Sequence, residues 1–84
     1  MKFQFLGEAL GCKLYGAIDG KYSFNIGYTE GLGWVASWKD REYKGRQLSH
    51  FVLNEGQRSI DNPFETREQA EAACRHQRKK LRLS

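Results

Sequence analysis

Eighty-four residues with 13% aromatic side chains and a net charge of +4 describe one domain, 1–84, that buries roughly two thirds of its chain's surface around a thin core. A core this size leaves little room for an enclosed active site, and the 5 Phe, 4 Tyr and 2 Trp argue against a disordered chain. No apolar run approaches the roughly 18 residues of a membrane span and Met1–Glu8 reads as a strand rather than a leader, so a cytoplasmic protein is expected.

Lys2 to Leu6 alternates, with Phe3 and Phe5 on one side, and predicts a short strand that Gly7 to Gly11 breaks. Cys12 to Ile18 predicts a second, ending at Asp19-Gly20, a pair suited to the positive φ of a tight hairpin turn. Tyr22, Phe24, Ile26 and Tyr28 then alternate with Ser23, Asn25 and Gly27, the period of a strand with one dry face. After a glycine-bearing turn over 29–33, Trp34, Ala36 and Trp38 repeat that pattern, so the two strands form an antiparallel hairpin. A charged connection, 40–46, leads to a further strand over Leu48 to Leu53, with Phe51 and Leu53 in phase. A loop over 55–59 follows, and Ile60 and Phe64 are expected to pack the helix entry.

Pro63 interrupts the extended pattern, and Thr66 with Gln69 three residues on is a capping box, in which each side chain satisfies an orphan backbone N–H of the first helical turn. The apolar stripe Ala70, Ala73, Cys74 and Leu81 predicts a helix packed by one narrow face. The expected fold is α+β: an antiparallel meander of three to five strands with one C-terminal helix on one face. That helix should cover Tyr22, Phe24, Ile26, Trp34 and Trp38, leaving Ser23, Asn25, Ser37 and Lys39 on the open face.

The hairpin sequence Gly33-Trp34-Val35-Ala36, a further strand, and Phe64-Glu65-Thr66-Arg67-Glu68-Gln69-Ala70-Glu71-Ala72-Ala73 together resemble the three-strand-plus-helix DNA-binding domains of the AP2 and integrase amino-terminal type. The likeness spans Tyr22 to Arg78, and small phage-encoded proteins share the same strand and helix pattern. It implies DNA binding by a phage or mobile-element protein. Ser23, Asn25, Gly27, Val35 and Ser37 stand where that family carries outward arginines that read bases, so sequence-specific readout is not expected.

Charge is unevenly distributed along the chain. Residues 1–40 hold four lysines against four acids, and residues 41–84 hold ten basic residues against six acids. Arg75, Arg78, Lys79, Lys80 and Arg82 cluster at the helix end and, with Lys39, are the candidate phosphate contacts. Basic residues there also suit the helix macrodipole, so a merely solvated helix end is the competing reading. Tyr15, Tyr43 and Asn25 are the candidate contacts for a protein partner; both tyrosines lie outside the core register and are expected to be exposed. Cys12, His50, Cys74 and His76 have no metal-ligand spacing, and no nucleophile motif or phosphate-cradling loop is present, so neither metal, cofactor nor catalysis is expected. Cys12 and Cys74 are expected to be reduced. Two functions remain: a nucleic-acid-binding accessory protein, or an inhibitor that occupies a host protein complex, as phage inhibitors of CRISPR defence do. Free sheet edges leave a homodimer open to either.

Overall fold

The computed structural model describes residues 1–83 and has the expected α+β architecture. Five antiparallel strands form one sheet in chain order: β1 (Gln4–Ala9), β2 (Cys12–Asp19), β3 (Tyr22–Thr29), β4 (Gly33–Asp40) and β5 (His50–Phe51). A second, two-stranded sheet joins β6 (Leu53–Asn54) to β7 (Gln57–Arg58), and α1 (Arg67–Leu83) closes the described chain.

The central hairpin follows from its alternation. Phe24 pairs with Trp38, Ile26 with Ala36 and Tyr28 with Trp34, and these side chains face α1. Phe24, Ile26, Ala36, Val52, Phe64, Ala70 and Cys74 form the buried cluster. Each large apolar side chain in it contributes about 1.5–3 kcal/mol by leaving water. Small residues on α1 let it lie close: Ala70 and Cys74 are fully buried, and Ala73 and Leu81 pack at the margin. The capping box forms as expected, with the Gln69 N–H donating to Thr66 Oγ1 at 3.2 Å and Gln69 Oε1 accepting from the N–H groups of Thr66 and Glu65 at 3.3 and 3.0 Å.

Four expectations need correction. β1 does not stop at Gly7: it runs to Ala9, absorbing a register shift between Phe5 and Gly7, since an edge strand with one partner tolerates a bulge. The predicted strand over 48–53 is split, with only His50 and Phe51 pairing with β4 and Leu53 pairing in the second sheet, and its phase is reversed. Leu48 and Leu53 are exposed while Val52 is buried, because the Val52 N–H donates to the Ala36 carbonyl at 2.9 Å and draws that residue inward. Ile60 is also exposed, leaving Phe64 to pack the helix entry. Finally, Tyr15 is not an exposed aromatic. It stands on the core face opposite Ile26, with its ring 5.8 Å from that of Trp34 and the Arg67 guanidinium 4.8 Å above it.

The outer edge of β4 is completed by three successive segments. β5 pairs with Ser37 and Trp38, Ser59 exchanges two hydrogen bonds with the Ala36 backbone, and Phe64 bridges Trp34. Gly33, at φ +113°, permits that last approach, because a Cβ there would lie 2.8 Å from the Phe64 carbonyl oxygen. β1 and the two-residue β5 are the edge strands of the sheet.

Candidate functional site

Strand direction decides where charge collects. The tight turn between β2 and β3 has Gly20 at φ 60°, as a II′-type turn requires at its first central position. Register places Asp19, Tyr22 and Asp40 side by side at that end of the sheet. The loop after β4 is tied to the same turn, where Arg41 Nη1 donates to the Gly20 carbonyl at 2.9 Å. Gln47 holds the far side of the loop by two hydrogen bonds with the Asp40 backbone.

The helix end arrives at the same place. Arg82 reaches both carboxylate oxygens of Asp19, at 3.1 and 3.0 Å, and Arg78 Nε lies 3.7 Å from one of them. Arg78 to Arg82 spans only about 6 Å of helix, so Lys79 and Lys80 sit within one turn of this contact. This end therefore gathers Lys21 from the turn, Lys39 from β4, Arg41, Lys44 and Arg46 from the loop, and Arg78, Lys79, Lys80 and Arg82 from the helix. These nine cations face three acids, Asp19, Asp40 and Glu42; the rest of the chain holds five cations and seven acids. The protein is positive at one end and slightly negative elsewhere.

The candidate cations differ in what already holds them. Arg75 donates to Glu71 at 3.2 Å and to the Met1 carbonyl at 3.3 Å, while Arg78 and Arg82 share Asp19. These three form one flank of α1, fastening the helix over β2 and the chain's start. Lys79 and Lys80 are exposed and form no ion pair among the described residues. Lys39 lies on the other face of the sheet, opposite Ser23, near this end. Lys21 stands 5.2 Å from the centroid of the Tyr22 ring, and hydrogen bonding to Tyr22, ahead of the charges of Tyr22 and Asp40, raises its pKa above the ordinary lysine value. It stays cationic at any physiological pH.

Tyr43 is exposed, as expected, and belongs to the same loop. Asn25 is half-buried on the open face. That face is more apolar than the strand alternation of β3 and β4 suggested: β2 adds Leu14 and Ile18, in register with Gly27 and Ser23, and the β1 bulge lays Leu6 over Gly16. Leu6, Leu14 and Ile18 are 57%, 43% and 64% exposed. No acid stands on the open face of the three central strands. Sequence reasoning missed Lys21, Arg41, Lys44 and Arg46, although the hairpin connectivity alone brings the second turn and the charged connection to one end.

Cys12 and Cys74 are both free, one exposed and one in the core. Among the described residues no cluster of three potential metal ligands occurs, and no helix is long and apolar enough to cross a membrane. Compared with known proteins, the chain matches no family model, no curated protein and no solved structure.

Proposed function

We propose that this protein is a small non-enzymatic module that binds nucleic acid through the cationic end of its sheet and helix. The observation that carries this reading is the charge segregation: nine cations against three acids at one end, in a chain whose net charge is only +4. Such a cluster attracts phosphates with no need for an enclosed pocket, and it fits affinity without sequence readout. On the helix end, Lys79 and Lys80 can engage phosphate without breaking an ion pair among the described residues, whereas Arg78 and Arg82 divide their charge with Asp19.

The test is binding of labelled single-stranded and duplex oligonucleotides across a salt series, with Lys79→Glu/Lys80→Glu as the comparison. Binding should weaken steeply as salt rises and fall further in the double variant, whose helix keeps its buried stripe. Affinity that does not change with salt would rule the reading out.

A second reading rests on a different feature. The exposed Leu6, Leu14 and Ile18 on the open face are suited to a protein partner, such as the host complex targeted by a phage inhibitor, rather than to phosphate. Salt-insensitive binding to a defined protein, abolished by Ile18→Glu and retained by Lys79→Glu/Lys80→Glu, would favour it.

A further inference from the structure

Beside the cationic end, the loop over 41–49 and the outer side of β4 enclose a recess of about 620 Å³. Its walls are rings. Tyr22 meets Trp38 edge to face, with centroids 5.6 Å apart and planes at 85°. His50 lies flat on Trp38 at 4.3 Å and 21°, held there because β5 pairs His50 with Trp38. Tyr43 and Arg46 close the loop side. Trp38 packs at the edge of the core, whereas His50 and Tyr43 are exposed. The Trp38–His50 stack therefore ends in an exposed ring.

The rim selects the guest. An aromatic recess of this size could take a flat ring or an organic cation. Arg46 lines it, Lys21 stands against Tyr22, and Tyr43 sits between Glu42 and Lys44 in the loop that Arg41 opens. Asp40 is the one carboxylate among its lining residues, and one of its oxygens accepts the Glu42 N–H at 2.9 Å. Lys21, Arg41, Lys44 and Arg46 outnumber Asp40 and Glu42 around the recess, so a planar group carrying phosphates would meet both a stacking surface and an excess of counter-charge. A base paired within a duplex does not present its ring face, so the guest must be unstacked.

We infer that this recess captures an unpaired base of single-stranded nucleic acid, which extends the Trp38–His50 stack while Lys21, Lys44 and Arg46 take the flanking phosphates. The inference rests on the nucleic-acid reading above and adds the strand state of the ligand and the residues that discriminate it. Tyr22, Trp38 and His50 come from β3, β4 and β5, so the stacking platform is set by the sheet, and the loop supplies the remaining wall, Tyr43 and Arg46 among it.

The experiment compares wild type, His50→Ala, Tyr43→Ala and Lys79→Glu/Lys80→Glu for binding to dT and rU oligonucleotides, a duplex of equal length, and heparin. His50 and Tyr43 are both exposed, so neither substitution opens the core, and circular dichroism checks the fold. Wild type should prefer single strands to duplex. Each aromatic variant should lose about tenfold or more for the single strands, with heparin binding unchanged, and the dT and rU arms show whether DNA or RNA is preferred. If the aromatic variants bind single strands as wild type does while the lysine variant is impaired, the recess is not a base site and the nucleic-acid reading stands. If wild type binds no oligonucleotide even at low salt, both are overturned.

Discussion

Asp19→Asn separates the two roles that the helix-end arginines could serve. In the fold, the Asp19 carboxylate holds Arg82 at 3.0 and 3.1 Å and Arg78 at 3.7 Å. Asn keeps the shape and one acceptor but removes the charge. Both guanidiniums are partly solvated, with Arg78 and Arg82 side chains 20% and 60% exposed, so losing two such pairs costs about 1 kcal/mol. In a domain of this size that lowers Tm by about 4–8 °C. Binding should move the other way. The variant frees two guanidiniums and deletes the acid nearest to them, and each new phosphate contact steepens the dependence of log K on log salt by about 0.7–0.9. At about 0.15 M salt that slope corresponds to about four- to fivefold in affinity per contact. Asp19→Asn should therefore be less stable and yet bind single-stranded oligonucleotide between about fourfold and about twentyfold more tightly, with a steeper salt slope. Thermal denaturation and fluorescence anisotropy on the same preparation measure both. A variant that is destabilised but binds no more tightly would show that Arg78 and Arg82 act only as fasteners of α1 and are not phosphate contacts.

Three further predictions concern the scaffold. Ser59 is fully buried, accepts the Ala36 N–H at 3.1 Å and donates to the Ala36 carbonyl at 2.8 Å. Ser59→Ala leaves that amide unsatisfied and should cost about 1–3 kcal/mol, read as a shift in the urea midpoint; no shift would mean that water or another acceptor replaces the hydroxyl. Gly33→Ala adds a Cβ at φ +113°, 2.8 Å from the Phe64 carbonyl oxygen, and should lose at least about 2 kcal/mol. Gly16→Ala would meet side-chain tips alone, Leu6 Cδ1 at 2.8 Å and Asn25 Oδ1 at 3.2 Å, at a position without a positive φ, and should cost less than about 1 kcal/mol; equal losses would contradict the packing at the β4 edge. Burial, and secondarily the charge of Glu71, pushes the Cys74 thiol from 9.0 up to about 12. Its folded pKa is raised, so this contribution to stability is complete below pH 9 and is lost as pH rises toward 12, at about 1.4 kcal/mol per unit and about 4 kcal/mol in all. Urea titrations from pH 8 to 11 should show Cys74→Ala losing less stability with pH than wild type, and parallel profiles would count against a buried, neutral thiol.

Local signals carried the elements whose chemistry is local. The alternation through Tyr22–Tyr28 and Trp34–Trp38 fixes which face is dry, because a strand's side chains must alternate. The Thr66–Gln69 box marks the helix start because those two side chains meet only in a first helical turn. Where the signal was weak, tertiary contacts decided. Val52 rather than Phe51 and Leu53 turns inward because the exposed edge of β4 needed a donor for the Ala36 carbonyl. Tyr15 is drawn into the core because β2 lies beneath the flank of α1. β1 passes Gly7 because pairing with β2 outweighs the glycine's cost in an edge strand.

The charges divide in the same way. Composition and order alone established an α+β chain with an excess of positive charge in its second half and a basic helix end. Only the tertiary structure brought Lys21, Lys39 and the loop after β4 to that helix end, and only it distinguished Arg75, Arg78 and Arg82, held by Glu71 and Asp19, from Lys79 and Lys80, which are free of ion pairs among the described residues. The reason is physical: a sequence states which charges exist and which lie near one another along the chain, but whether a cation is offset depends on which acid the fold sets within about 4 Å of it, and Asp19 is 63 residues from Arg82.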